Sequence, residues 1–398
     1  MPKKPAVVAD PSSVTISRAG TLRLRGGHLW VYRSDVVSAD EVKPGSLVSV
    51  QDERGKFLGT ALYSSSSQIA VRMLSHEKVI DLQSLLRERI RAAVAYRKQV
   101  VSDTDAYRVI FSEADFLPGL IVDRYNDLLS MQILTQAMDA EPVRQTVVSE
   151  LTQQLKPTAI AERVDPRIRE LEQLPARTSG LISGDQSSTV FTMNGVRFHY
   201  DALEGQKTGA FLDQRENYAA AARYMRGEAL DAFCYQGGFA LHLASHCSSV
   251  IGVDSSRAAL EIADKNASLN GREIEWIEAN AFDLLRDYAD SKRQFDSIVL
   301  DPPAFAKTKR NLDTALRGYK ELNLRALKML RPGGTLVTCS CSFHLTPEAF
   351  LEVVSQSARD AHRTLRLLEN RSQAKDHPVL VGVPETAYLK CLTFNVSN

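Results

Sequence analysis

Hydrophobic and polar positions change period along the chain, and each change marks an element or a domain. Between residues 10 and 75, the runs SVTIS, LWVYR, KPGSLVSVQDERGKFLGTALY and SQIAVRML alternate with turn signals at Pro44-Gly45 and Arg54-Gly55. Val48 and Val50 share a strand face, so residues 1–76 are predicted to form a small β-rich domain. From Asp81 to Gln99 the period becomes helical, with Leu82, Leu85, Leu86, Ile90 and Val94 recurring on one face. Two β-prone runs follow, with turns at Pro118-Gly119 and Asn126-Asp127, then a helix near Pro142 to Leu155. This predicts a central α+β domain over 77–189, whose polar, proline-punctuated end up to Gly184 carries no assignable period.

Beyond Val190 the pattern predicts a hairpin turning at Asn194-Gly195, then a turn into a helix at TGAFLDQRENYAAAARYM. Strand and helix alternate from there: EALDAFC, a helix from Phe239, SVIGVDSS, a helix from Arg257 to Asn270, EIEWIEAN, a helix near Phe282, SIVLDPP, a helix near Tyr319 to Leu330, and GTLVTCSCS. Such alternation predicts an α/β domain over 190–398, a doubly wound sheet with helices on both faces.

Composition narrows the class without deciding the function. The chain has 398 residues, 44% hydrophobic and 24% charged, as expected for two or three soluble globular domains. No apolar run approaches the roughly 18 residues that span a bilayer, and MPKKPAVVADP lacks the apolar core of a signal peptide. A cytoplasmic location and no membrane partner are expected. Five sparse cysteines have no disulfide-framework spacing, so reduced thiols are expected. Net charge is only +1, but Lys307, Lys309, Arg310, Arg317, Lys320, Arg325, Lys328 and Arg331 face only Asp313 and Glu321 in their segment. A second basic cluster joins Lys3, Lys4, Arg18, Arg23, Arg25 and Arg33. Each is either a solvated face or a track for phosphates.

Three loops at the ends of apolar strands carry the candidate chemistry. Cys234 to Phe239 would form a glycine turn that lets backbone approach a nucleotide-like ligand, but it is not the G-x-G-x-x-G fingerprint of dinucleotide enzymes. Asp254 ends the next strand, where a carboxylate can hold both ribose hydroxyls; alternatively it caps a helix. Asp231 would orient the turn or meet an ammonium group. Asp301 opens DPP, stiffened by Pro302 and Pro303, where a carboxyl group can read the edge of a flat base. Cys341 lies beyond GTLVT and would face the same cleft; a thiolate there can attack carbon 6 of a pyrimidine. On extended backbone Cys339 and Cys341 share a side, so both as small buried residues, a metal-binding pair, or a single reactive thiol stay open. Gln214 and Arg215 could bind a cofactor carboxylate, or Arg215 could be a surface charge beside a cap. His242, His246 and His344 lack ligand spacing, and no metal site is expected.

Taken together, KTGAFLDQR, LDAFCYQGGFALHLAS, VIGVDSSRAALEIADKNASLNG, FDSIVLDPPAFAK, RGYKELNLRALKMLRPGG, TCSCS and DHPVLVGVPETAYLK resemble the bacterial 23S ribosomal RNA cytosine-5 methyltransferases that use S-adenosylmethionine. The likeness extends to GGHLWVYRSDV and FSEADFLPGLIVDRYNDLLSMQ, hence over nearly the whole chain. It implies a Rossmann-like class I methyltransferase domain at the C-terminus, a central α+β domain, a small β PUA domain that contacts RNA, and 23S ribosomal RNA as partner; a homodimer is compatible with it. It puts the nucleophile on Cys341 and the acid on Asp301. Cofactor contacts fall on Gln214, Arg215, Asp231, Phe233, Cys234, Tyr235, Gly237, Asp254, Ser255, Asn280, Ala281 and Asp301. Asn280 stands where an aspartate is common, and Ala304 where another branch has a product-releasing cysteine, leaving the base that removes the carbon 5 proton unassigned. Methylation of an exocyclic amine, or a non-catalytic assembly role, are the rival readings.

Overall fold

The computed structural model describes residues 12–203, 210–306 and 308–398, with the Lys309 side chain left aside. Three sheets and a hairpin follow one another along the chain. The first sheet has six strands in the order Trp30–Tyr32, Ile69–Ser75, Phe57–Tyr63, Leu47–Asp52, Ser13–Ile16 and Val36–Ser38. Val48 and Val50 point into its core, as their alternation predicts. The β-prone reading overlooked the helix Arg18–Arg25. Ser17 Oγ accepts from the Gly20 amide at 3.2 Å, and only Gly20, Thr21 and Leu24 are buried. Two turns of helix with so short an apolar stripe leave little periodicity to read.

The second sheet runs Gly180–Ser183, Ala159–Glu162, Leu128–Ile133, Leu120–Tyr125, Ala106–Phe111. The helices Leu82–Val100 and Glu141–Leu155 pack their apolar stripes into the same core, Leu86, Ile90 and Val94 against Val143, Val147 and Leu151. Where two runs were expected there are three strands, because the turns at Pro118-Gly119 and Asn126-Asp127 each separate a full antiparallel strand. The unassigned stretch before Gly184 holds the strand Ala159–Glu162, too short for its alternation to register, and the helix Pro166–Leu171, capped by Asp165. The hairpin Ser188–Met193 and Val196–Asp201 turns through Asn194 and Gly195, both at positive φ, as Asn-Gly predicts.

The third sheet has seven strands in the order Glu275–Glu278, Ser249–Asp254, Glu228–Ala232, Phe295–Leu300, Leu330–Ser340, Lys390–Ser397, Thr364–Arg371. The first five are parallel, and the last two add antiparallel, so the doubly wound sheet is mixed rather than wholly parallel. Chain order reverses between Glu228–Ala232 and Phe295–Leu300, and at such a switch point the loops diverge to leave a crevice. No described helix is long and apolar enough to cross a membrane.

The segment from Ser372 to Leu389, between the two antiparallel strands, runs back over the other domains. Asp376 is completely buried; its Oδ2 accepts from the Arg108 amide and from Arg215 Nη1, each at 2.8 Å. Arg97 donates to its main-chain carbonyl at 2.8 Å, and His377 Nδ1 lies 3.3 Å from Oδ1. Burial alone would raise the Asp376 pKa, but His377 and the Arg215 guanidinium outweigh it and hold the carboxyl well below its usual range. With the folded value depressed, this stabilisation is present above the unfolded value of about 4 and is lost as pH falls below it. Asp376→Ala leaves a buried guanidinium without its close partner, and should lower the unfolding free energy by about 3–5 kcal/mol, read as a fall in urea midpoint. An unchanged midpoint would show that the pair contributes nothing net.

Candidate active site

The carboxyl ends of the parallel strands open into a cleft of about 830 Å³. Gln214, Phe233, Tyr235, Asp254, Ser255, Asn280, Ala281, Asp301 and Cys341, separated by as much as 127 residues of chain, all line it. At the first strand's end, Phe233 and Tyr235 adopt positive φ and project into the cleft, an unusual backbone for aromatic residues. The Tyr235 amide donates to Asp254 Oδ2 at 2.9 Å and the Ser256 amide to Oδ1 at 2.8 Å. These two bonds fix the carboxylate at the tip of its strand, while Ser256, not Asp254, caps the following helix. Asn280 caps the helix Ala281–Asp290 through the Phe282 amide at 2.9 Å.

Across the cleft, Asp301 Oδ1 accepts from Gln214 Nε2 at 3.0 Å. Burial first, then the neighbouring Asp213 carboxylate, push the Asp301 pKa up to about 7. Cys341 sits one residue past its strand, half-buried, with Sγ 4.0 Å from the Pro302 carbonyl. Burial, then Asp301 and Asp213, push its thiol up to about 11. Its turn is braced from both sides. Tyr319 lies within hydrogen-bond reach of Ser340 and Ser342 at 2.9 and 3.0 Å, and Lys390 Nζ donates to the Ser342 and Tyr388 carbonyls at 2.7 and 2.8 Å. Desolvation lowers the pKa of that lysine to about 8.

Several expected site residues stand elsewhere. Cys339 ends in the core opposite Cys391, because the strand stops at Ser340 and its alternation does not carry on to Cys341. Arg215, expected to reach a cofactor carboxylate, is buried and held by Asp376. Gln214 reaches the cleft, but its amide is engaged by Asp301 and Asn217. Cys234 is buried, its thiol pushed up by desolvation, and borders a smaller cavity behind the turn. Gly237 and Gly238 do not line the cleft: Gly237 stands at a φ of +86°, which favours glycine, and a Cβ at 238 would lie 2.5 Å from Tyr218, so backbone conformation explains the first and tight packing the second. Asp231 is wholly buried beneath the turn; Oδ2 accepts from the Ala240 amide at 2.8 Å while Oδ1 has no partner.

The basic clusters are partly neutralised. Lys320, Arg325 and Arg331 pair with Asp360, Glu321 and Asp296, so the phosphate track is shorter than its sequence suggests; Lys307 lies outside the described residues. In the first domain Arg23 pairs with Asp35, and Arg33 is turned onto the Ser64 and Ser67 carbonyls, while Lys3 and Lys4 lie outside the described residues. Among the described residues no cluster of three or more His, Cys, Asp or Glu could hold a metal.

Residues 14–76 match the PUA-like domain family, and residues 128–395 match the S-adenosylmethionine-dependent methyltransferase family. The Ribosomal RNA large subunit methyltransferase I of Shewanella denitrificans is 40% identical over 93% of this chain and 95% of its own. That of Tolumonas auensis is 41% identical over 92% and 94%. The chain belongs to the ribosomal RNA large subunit methyltransferase I family. A Streptococcus mutans protein assigned as a SAM-dependent methyltransferase shares the fold, with a TM-score of 0.82 at 18% identity, over 96% of this chain and 99% of that one. A second structure, with the same TM-score, was solved in complex with SAH. The cofactor of this methyltransferase domain is S-adenosylmethionine.

Phe211, Asp213, Phe282, Phe305 and Tyr388 also line the cleft. Phe211 meets Tyr235 edge-on at 5.1 Å, Phe282 packs between Phe233 and Phe305, and Tyr388 donates to Asp213 at 2.7 Å. Motif reading favoured residues at strand ends, whereas Tyr388 arrives on the returning segment; only the aromatic density of FLDQ, AFD and PAFA hinted at the wall.

Iodoacetamide labelling checks the thiol geometry. In a Cys247→Ser background, Cys341 should label ahead of the buried Cys234, Cys339 and Cys391. With a pKa near 11 its rate should rise roughly tenfold per pH unit between about pH 7 and 9, followed by peptide mass spectrometry. Fast, pH-independent labelling would contradict the desolvated thiol.

Proposed function

We propose that this enzyme transfers a methyl group from S-adenosylmethionine to carbon 5 of a cytidine in 23S ribosomal RNA, through a covalent adduct on Cys341. The observation that carries this reading is one cleft holding a cysteine opposite a carboxyl group kept near neutrality by burial. The relatives' name supplies the large-subunit RNA. Amine methylation needs no thiol at that place.

The residues present fit the cofactor. Among the residues that line the cleft, Asp254 suits a ribose diol, and Asn280 with the wall of Phe233 and Phe282 suits adenine. The cofactor supplies an electrophilic methyl group on a sulfonium. The target cytidine leaves its stack and enters the cleft, costing a few kcal/mol. The Cys341 thiolate forms a bond to carbon 6 while Asp301 donates its proton to ring nitrogen 3, which turns the ring's double-bond pair into a nucleophile at carbon 5. Carbon 5 then takes the methyl group. Transfer of the carbon 5 proton to water restores the ring double bond and expels the thiolate, and the nitrogen 3 proton returns to Asp301.

Acid and nucleophile are needed as protonated Asp301 and ionised Cys341, together one proton. Because the carboxyl pKa, about 7, lies below the thiol's, about 11, the singly protonated pair dominates between them, and the reactive tautomer is a constant minor part of it. Below the lower value both groups are protonated. The kcat/KM for RNA should therefore fall about tenfold per pH unit below pH 7, an acidic limb that reports the acid.

The direct test is transfer of labelled methyl to unmodified large-subunit RNA, with nucleoside analysis. Wild type should yield 5-methylcytidine, Cys341→Ala and Asp301→Asn should lose about 1,000-fold or more, and Cys339→Ala should retain activity. A fully active Cys341→Ala, or a label on another nucleoside, would replace this reading by amine methylation.

A further inference from the structure

Asp301 is the end of a hydrogen-bond chain that begins at a residue able only to donate. Arg371 Nε donates to Asn217 Oδ1 at 3.0 Å. A guanidinium has no acceptor, so the carbonyl end of Asn217 must face it. The amide end of Asn217 then donates to Gln214 Oε1 at 2.7 Å and to the Ser372 carbonyl at 3.1 Å, a second bond that fixes the same orientation. With its carbonyl so engaged, Gln214 must present its NH₂ group to Asp301 Oδ1, 3.0 Å away. Asn217 and Gln214 are both at least 98% buried, which shields the bond between them from water.

We propose that Arg371 and Asn217, acting through Gln214, are positioning residues whose directional chain reserves Oδ1 of Asp301 as an acceptor and so assigns the catalytic proton to Oδ2. Neutral carboxyl groups carry the proton on either oxygen unless the surroundings distinguish them. Here Oδ1 already receives a proton donor, and a proton on that oxygen would meet another N–H. The inference rests on the reading of Asp301 as the acid that protonates the cytosine ring. Asp213, Asp231, Tyr218 and Cys341 face Asp301 from neighbouring elements without belonging to the chain, whereas the Cys339 thiol lies within hydrogen-bond reach of both Asp301 and Gln214 at its end.

Asn217→Asp tests the direction while keeping the shape. A carboxylate at 217 still accepts from Arg371 but also demands a donor from Gln214, which must turn over and offer its carbonyl to Asp301. The acid is then drawn to donate into Gln214, away from the ring. Two effects follow with opposite feel: the neutral acid is favoured, so the acidic limb of kcat/KM moves above pH 7, yet kcat falls about 100-fold because the proton is misplaced. Arg371→Met removes one of the two bonds that orient Asn217 and leaves the Ser372 carbonyl to hold the other, so it should shift both in the same directions but less far, and Arg371→Lys should recover most of the rate. Thermal unfolding and calorimetric binding of S-adenosylhomocysteine verify that each variant is folded; should Asn217→Asp fail to fold, the Arg371 pair decides.

Folded Asn217→Asp and Arg371→Met proteins with an unmoved acidic limb would overturn the chain, as would an Arg371→Lys as impaired as Arg371→Met. Asp301→Asn separates the two levels. If it methylates carbon 5 normally, the acid assignment itself fails; if it is inactive while the limb of the Asn217 and Arg371 variants stays in place, only the directional chain fails.

Discussion

The cleft depends on one buried carboxylate that is not in it. Asp376 holds Arg215 from the helix that follows the Leu212–Gln214 turn and the Arg108 amide from the central sheet, while Arg97 takes its main-chain carbonyl. Tyr96 donates to the carbonyl of Lys375 next door. Leaving any of these groups unpaired in the interior would cost more than the bond contributes on the surface, so the turn at 375–377 is held in one place. From that anchor the chain continues to Tyr388 and Lys390, which close one wall of the cleft and brace the Cys341 turn. Domain packing and site geometry are thus parts of one polar network.

The third sheet was largely legible because strand and helix alternate there with full-length apolar runs. SVIGVD and SIVLDPP each announce a buried parallel strand, and the loop after such a strand is where ligand chemistry gathers. Asp254, Asp301 and Cys341 stand together in the cleft for that reason. What escaped was anything set by tertiary partners. Arg215 reads like a cofactor ligand until its partner, 161 residues later, is known. Gly237 and Gly238 read as a backbone approach to a nucleotide, whereas a positive φ accounts for the first and Tyr218 crowds the second. The two antiparallel strands at the end carry no signal of direction, since alternation is the same either way along a strand.

Electrostatically the cleft is arranged against free ions. Asp213, Asp254 and Asp301 line the cleft and Asp231 is buried beneath it, and the result is a carboxyl group that holds its proton and a thiol that resists losing one. The lysine behind the Cys341 turn is the nearby counterweight, and its own ammonium is spent on two carbonyls.

Val383 is wholly buried, and it is buried in the core of the first domain, beside Val14, Val31 and Val71, although it belongs to the returning segment of the methyltransferase. Nearby, Gly382 lies so close to Gly27 that a Cβ at 382 would stand 2.2 Å from the Gly27 carbonyl oxygen. The N-terminal domain is therefore not a bead on a string. Its core is completed by the enzyme that follows it, so neither part is free to be swapped for a homologue, or to drift in sequence at this seam, without a matching change in the other.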